Sequence, residues 1–256
     1  MKCFTIWQDR DHRWLAFAQD PDRPDTVIDT NQLVVTSEDA AMLLDPGGIE
    51  LFPAMAAAVT QEVGIDRLRH LFLSHQDPDV ASALPLWRQV CATGLGVHVS
   101  WMWTGFLSHF DSETKFTAIP DHGAEVHLSR SVTLHLLPAH YLHSPGCFCV
   151  YDPAAKVLFS GDIGAALVPP DQITGIFVED FDAHVAYMDA FHRRWMGSGA
   201  ARDRWVEMVR RLDVEVLAPQ HGLFFRGADV TRFLDWLSGL ELGSGLAAYD
   251  QVTVGR

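Results

Sequence analysis

Short apolar runs separated by turn residues recur along the chain, and they predict many strands with helices set between them. Cys3–Trp7 and Trp14–Ala18 flank the polar stretch Gln8–Arg13, the spacing of a hairpin. A surface loop follows at Asp20–Asp25, which carries two prolines and three acids. Leu33–Thr36 and Ala41–Leu44 are strand-like and end at the turn Asp45-Pro46-Gly47-Gly48. Leu51–Val63 has apolar residues at helical spacing and stops at Gly64. Leu71-Phe72-Leu73 then reads as a buried strand running to His75.

Asp79 to about Val90 predicts a helix with Leu84, Trp87 and Val90 on one side. Val97–Ser100 predicts a strand, the aromatic-rich Trp101–Phe110 a helix, and Phe116–Ile119 a short extended piece. A second set of strands follows at Glu125–Leu128, Val132–Leu137, Phe148–Tyr151 and Val157–Ser160. Phe181–Met196 and Ala201–Leu212 are helical, with Tyr187, Phe191 and Trp195 expected as a core stripe. Val214–Leu217 is a strand, and Asp229–Leu240 is an amphipathic helix with Phe233, Trp236, Leu237 and Leu240 inward. Two similar halves of this kind imply an α/β fold of two sheets packed together under outer helices. Residues 1–242 form that domain, and 243–256 are small and polar enough for a loose tail.

Composition narrows the function. A length of 256 residues with 48% hydrophobic residues supports a sizeable core. The net charge of -14, with no Lys/Arg-rich run, argues against a nucleic-acid partner. No apolar stretch reaches the length of a membrane span, and the amino terminus lacks a signal-like apolar run. The four cysteines, Cys3, Cys91, Cys147 and Cys149, are sparse and read as reduced thiols of a cytoplasmic protein. Thirteen histidines are many; a metal site accounts for some, surface positions for most.

Four apolar runs end in metal-ligand types beside Gly or Pro. The first gives His75-Gln76-Asp77-Pro78-Asp79, three such residues spaced by two. The others lead to His140 and His143, to Gly161-Asp162, and to Gln220-His221-Gly222. Each has an ordinary reading: Asp79 as a helix cap, His143-Ser144-Pro145-Gly146 and Gly161-Asp162 as turns, His221 as a capping histidine. Between His140 and His143, one is expected at the site. Four strand ends with ligand types in one order point to convergence on metal at one sheet edge, where Gly161 and Gly222 let backbone approach closely.

This order resembles the metallo-β-lactamase fold, an αββα sandwich with a two-metal site at one edge, over roughly Phe4 to Leu240. Asn31–Val34 and Leu44–Gly48 are similar to its early strand pair. The family's His-x-His-x-Asp-His loop is altered here, since Asp77 stands for the second His and Val80 for the last. A carboxylate at that place resembles the flavodiiron branch with its His-x-Glu-x-Asp loop. Tyr141-Leu142-His143-Ser144-Pro145 is similar to that branch's Leu-His-x-Pro, which selects His143 over His140. The resemblance implies one metal on His75, Asp77 and His143, another on Asp79 and His221, and Asp162 bridging.

Carboxylates beside imidazoles suit iron, with manganese or zinc as alternatives. Three carboxylates leave two divalent cations at a net charge of about +1, and Val80 leaves a coordination position open. Asp77 is one methylene shorter than Glu, so binding through a single oxygen is one expectation. The sequence ends without a flavodoxin-like domain, so no FMN is expected and electrons would come from another donor.

The resemblance implies a non-haem diiron protein that binds, reduces or senses dioxygen, often with a redox or signalling partner and with a homodimer possible. The alternative is a dinuclear metal-dependent hydrolase acting on a phosphodiester or other ester. Leu167–Pro170 and Ile176–Val178 are expected either as an apolar lip at the site or as packing residues.

Overall fold

A computed structural model of the chain describes residues 1–24, 26–91 and 94–252. Asp25 in the predicted surface loop and residues 253–256 of the predicted tail lie outside the described residues.

Seven strands form the first sheet in chain order: β1 (Lys2–Asp9), β2 (His12–Ala18), β3 (Gln32–Ser37), β4 (Ala40–Leu44), β5 (Leu68–Phe72), β6 (Gly96–Ser100) and β7 (Phe116–Ile119). The first four pair antiparallel, and β4 through β7 run parallel. The predicted hairpin is present and tighter than its polar stretch suggests, because Asp9 pairs with His12 across a turn in which Arg10 takes φ 49.

The second sheet contains β8 (Ala124–His127), β9 (Thr133–Pro138), β10 (Phe148–Asp152), β11 (Val157–Gly161), β12 (Val216–Pro219) and β13 (Phe225–Arg226). Its order is β13-β12-β11-β10-β9-β8, with β11 and β12 parallel and the remaining pairs antiparallel.

Alternation along the strands builds three apolar layers. Trp14, Leu33, Met42, Leu44 and Phe72 of the first sheet face Leu134, Phe148, Val150 and Phe159 of the second. The opposite face of the first sheet buries Leu15, Val34, Leu43 and Leu71 under α1 (Phe52–Glu62), α2 (Pro78–Ala81) and α3 (Leu84–Val90). The one-turn α4 (Thr104–Leu107) adds Leu107 to that layer, and the outer face of the second sheet packs under α5 (Phe181–Trp195), α6 (Gly199–Val209) and α7 (Ala228–Gly239). The sandwich is therefore αββα, as expected.

Several elements differ from expectation for local reasons. Pro85 lacks the N–H that would bond Ala81, so the helix predicted from Asp79 is two pieces, α2 and α3. Val90 is exposed rather than inward. Trp101–Trp103 is a 3-10 turn before α4, so no continuous helix reaches Phe110. The strand expected at Val214–Leu217 lies two residues later as β12, and β13, which pairs with it through Val216 and Arg226, was not expected.

In α5 the buried stripe is Phe181, His184, Met188 and His192, displacing the Tyr187/Phe191/Trp195 stripe to its margin. The predicted loose tail begins with 3-10 turns over Ser244–Gln251, anchored where Gly243 at φ 83 donates its N–H to the Arg193 carbonyl. Among the described residues, no helix is long and apolar enough to cross a membrane.

One polar node pins the two sheets. Asp152, fully buried at the end of β10, accepts from Trp14 Nε1 at 2.7 Å and lies 2.8 Å from His12 Nε2, both on β2. It also accepts from the N–H groups of Ala154 and Ala155. Burial works to raise its pKa, but the His12 and Trp14 hydrogen bonds outweigh this and hold the carboxyl below its ordinary value. Its contribution is therefore present above the ordinary carboxylate range and fades as pH falls through the lowered value. Asp152→Ala strands two buried donors and is expected to cost about 3 kcal/mol, read as a lower urea midpoint at unchanged m-value.

Candidate metal centre

Five strand ends converge at one edge of the sandwich. β4 ends at Asp45, whose N–H bonds Phe72 of β5 and whose carboxylate accepts from Ser74 N–H at 2.7 Å and Ser74 Oγ at 2.5 Å. The chain after β5 is thus fixed before it turns through His75, Gln76 and Asp77 into α2. Pro78 at the start of α2 suits a helical first position, and Asp79 occupies the first turn. β9 delivers the 139–147 loop with His143. β11 ends at Gly161, and Asp162 follows. Beyond β12 come Gln220 and His221.

Two glycines permit the approach. Gly161, at φ +57, has Ser74 side-chain atoms 3.2 Å from where a Cβ would sit. Gly222, at φ +81, would place a Cβ 2.6 Å from the Ala166 carbonyl oxygen.

All six predicted residues are brought together. His75 Nε2 lies 3.5 Å from Asp77 Oδ2 and 3.8 Å from Asp162 Oδ2. His143 Nε2 lies 3.6 Å from Asp77 Oδ2 and 2.8 Å from Asp162 Oδ2. On the other side, His221 Nε2 lies 3.3 Å from Asp79 Oδ2 and 3.4 Å from Asp162 Oδ1. Asp162 thus turns one oxygen to each group.

Ligating atoms about 2.1 Å from a shared cation stand about 3.0–3.4 Å apart, and most of these separations fall near that range. His75 Nε2 and Asp162 Oδ1 are buried and make no hydrogen bond, as expected of atoms reserved for a cation. One ligand atom each from His75, His143 and Asp162 fall within 4.8 Å of one another. The donor set of hard carboxylates and imidazoles fits iron or manganese.

Outer partners orient the rings. Ser74 Oγ gives its proton to Asp45 and accepts from His75 Nδ1 at 2.8 Å. His221 Nδ1 donates to the Asp29 carbonyl at 2.8 Å. Both imidazoles therefore turn Nε2 to the centre, where the neutral ring offers a lone pair. Gln220 Nε2 donates to Asp79 Oδ2 at 3.2 Å, while Asn31 Nδ2 holds the Pro219 and Gly222 carbonyls around it.

His140 bonds the Asp121 carbonyl, so the 139–147 loop directs only His143 inward. His143 also packs edge-on against Trp195 at 5.4 Å. Sequence reading missed Asp45, Ser74, Gln220 and Trp195. Asp45 carried a signal, a carboxylate closing a buried strand, but it was read as turn chemistry.

Leu167, Val168, Pro169 and Pro170 line a cleft of about 310 Å³ together with Val27, Ile28 and Gly222, the residue after His221, and none of the six site residues lines it. Ile176 and Val178 pack in the two cores instead.

Two facing sheets sheathed in helices, with a His/carboxylate cluster at one strand edge, define a metallo-β-lactamase-fold protein with a candidate metal centre. The chain belongs to the family whose model is described as ODP family beta lactamase, which matches residues 28–222. It is 34% identical to the chemotaxis sensor ODP in a structure of its peroxy diiron species, over 97% of this chain and 99% of that one, with TM-score 0.85. The apo state of the chemotaxis sensor ODP from T. denticola is likewise 34% identical, over 97% and 98% of the chains, with TM-score 0.83. A variant flavo di-iron protein from Thermotoga maritima shares the fold at 18% identity and TM-score 0.78, over 93% of this chain and 60% of that one. No curated protein matches the sequence.

The electrostatics set a pH dependence. Burial lowers the His75 pKa, but Asp162, Asp77 and Asp45 overcome it and raise the imidazole to about 9. Asp162 shows the counterpart: burial raises it, yet His75, His143 and His221 hold it well below the carboxylate range. A raised folded-state value means that His75 stabilises the metal-free fold fully below its ordinary 6.5, and that this is lost as pH rises toward 9. Cations require the neutral ring, so their affinity increases over the same interval. The melting temperature of chelator-treated protein is expected to fall between pH 6.5 and 9 while the gap to metal-loaded protein widens.

Proposed function

We propose that the chain is a non-haem diiron protein that binds dioxygen and serves as a sensor. The observation that carries the reading is Asp162, whose two oxygens each face a separate His/carboxylate group. In this reading His75, Asp77 and His143 hold one iron, Asp79 and His221 the other, and Asp162 both. The irons supply a redox-active, Lewis-acidic pair able to take up a small diatomic ligand.

The chain's own residues do the rest. Asp45 through Ser74, and the Asp29 carbonyl, hold the tautomers of His75 and His221. Fully buried Val80 offers no donor where a further histidine would ligate, which leaves room for a ligand. Leu167, Val168 and Pro169 present an apolar wall at the flanking cleft, suited to a small uncharged molecule. The 34% identity to a chemotaxis sensor, spanning nearly both chains, supports sensing with a signalling protein as partner. A cytoplasmic setting accords with free Cys3, Cys91, Cys147 and Cys149. Homodimerisation belongs to the same reading.

Iron-loaded protein is expected to show near-ultraviolet ligand-to-metal absorption that changes on reduction and returns on exposure to O2. Asp162→Ala is expected to lose both metals by elemental analysis. Protein that retains only zinc and stays colourless after iron loading would refute the reading. Manganese-dependent cleavage of a generic phosphodiester, abolished by Asp162→Ala, would establish the hydrolase instead.

A further inference from the structure

Resting on the diiron reading, we propose that Gln76 is a positioning residue that makes Asp77 a one-oxygen ligand and ties together the two loops holding its metal. Gln76 Nε2 donates to Asp77 Oδ1 at 2.8 Å. Its Oε1 accepts from Ser144 Oγ at 2.7 Å. The remaining oxygen, Asp77 Oδ2, is the one that faces Nε2 of both His75 and His143. Ser144 directly follows His143, so one amide spans from the first ligand loop to the second.

The amide orientation is fixed by chemistry. Turned over, Gln76 would set its oxygen against the Asp77 carboxylate, where no proton is available. The buried Ser144 hydroxyl has one proton, and Gln76 Oε1 receives it.

A second observation shows that Asp77 is held away from its local preference. It occupies the N-cap of α2 with extended backbone, φ -67 and ψ 153, the place where an aspartate ordinarily accepts from the following N–H groups. No side-chain cap bond forms. The carboxylate instead points to the cluster with one oxygen tethered by Gln76. That tether answers the short reach of an aspartate, because rotation about χ2, otherwise broad, no longer exchanges the two oxygens. With Oδ1 occupied, Asp77 fills a single coordination position.

The test titrates the full chain with Zn²⁺ against a chromophoric chelator, which resolves two binding steps without any dioxygen chemistry. Gln76→Met is expected to weaken one step by about 10–100-fold and leave the other unchanged. Ser144→Ala should weaken the same step, and Ser144→Thr, which keeps the hydroxyl, should restore it. In an Asp77→Ala background, Gln76→Met should cost less than it does in the wild type, since one of the two groups it holds is gone.

Equal weakening of both steps, no weakening, or an undiminished loss in the Asp77→Ala background would overturn the proposal. Ser144→Ala, which removes a single hydroxyl, decides the matter should Gln76→Met fail to fold. Failure of iron-loaded wild type to respond to O2 would remove the dioxygen reading while leaving the zinc result to judge Gln76.

Discussion

The structure turns on Asp162. A carboxylate buried among three imidazoles stays ionised because the adjacent His75, His143 and His221 offset its burial. Its placement is a backbone matter. β11 and β12 run parallel, with a register shift between Phe159 and Gly161, and Gly161 adopts a left-handed conformation that brings the chain against Ser74. The two sheets therefore meet at this edge through the site. Ligand types from the first half, His75, Asp77 and Asp79, face those of the second across a single carboxylate.

Around that centre lies a shell of hydrogen-bond donors and acceptors. Asp45 is wholly buried, and burial lifts its carboxyl to about 7 despite opposing help from His75 and Ser74. It holds both the N–H and the hydroxyl of Ser74, which in turn steers His75. Asn31 and Gln220 do comparable work around His221 and Asp79. Such partners decide which nitrogen meets a cation, so they belong to the chemistry as much as the ligands do.

Much of this was legible in the sequence, for identifiable reasons. Apolar runs bounded by Gly, Pro and Asp gave nearly every strand, because burial enforces period-two alternation and turns need those residues. The six residues gathered at this edge stood out because each follows such a run. What escaped lay in tertiary context. Pro85 broke α3 from α2 by removing one backbone donor, although the apolar spacing across it stayed helical. In α5, His184 and His192 are buried, whereas exposed Trp195 looked like core by spacing alone. Gln76 drew no reading of its own, since its amide is engaged by a serine far away in the chain.

The division of the cluster between the two sheets bears on how the molecule is made. The first sheet follows chain order from β1 to β7, so its neighbours can pair as the polypeptide emerges. His221 arrives only after β12, long after the first sheet has been made. A cation drawing donors from both halves has no complete cage until the sheets have docked. Its binding energy then accrues to the finished molecule alone, and partly assembled chains remain the fraction open to proteolysis.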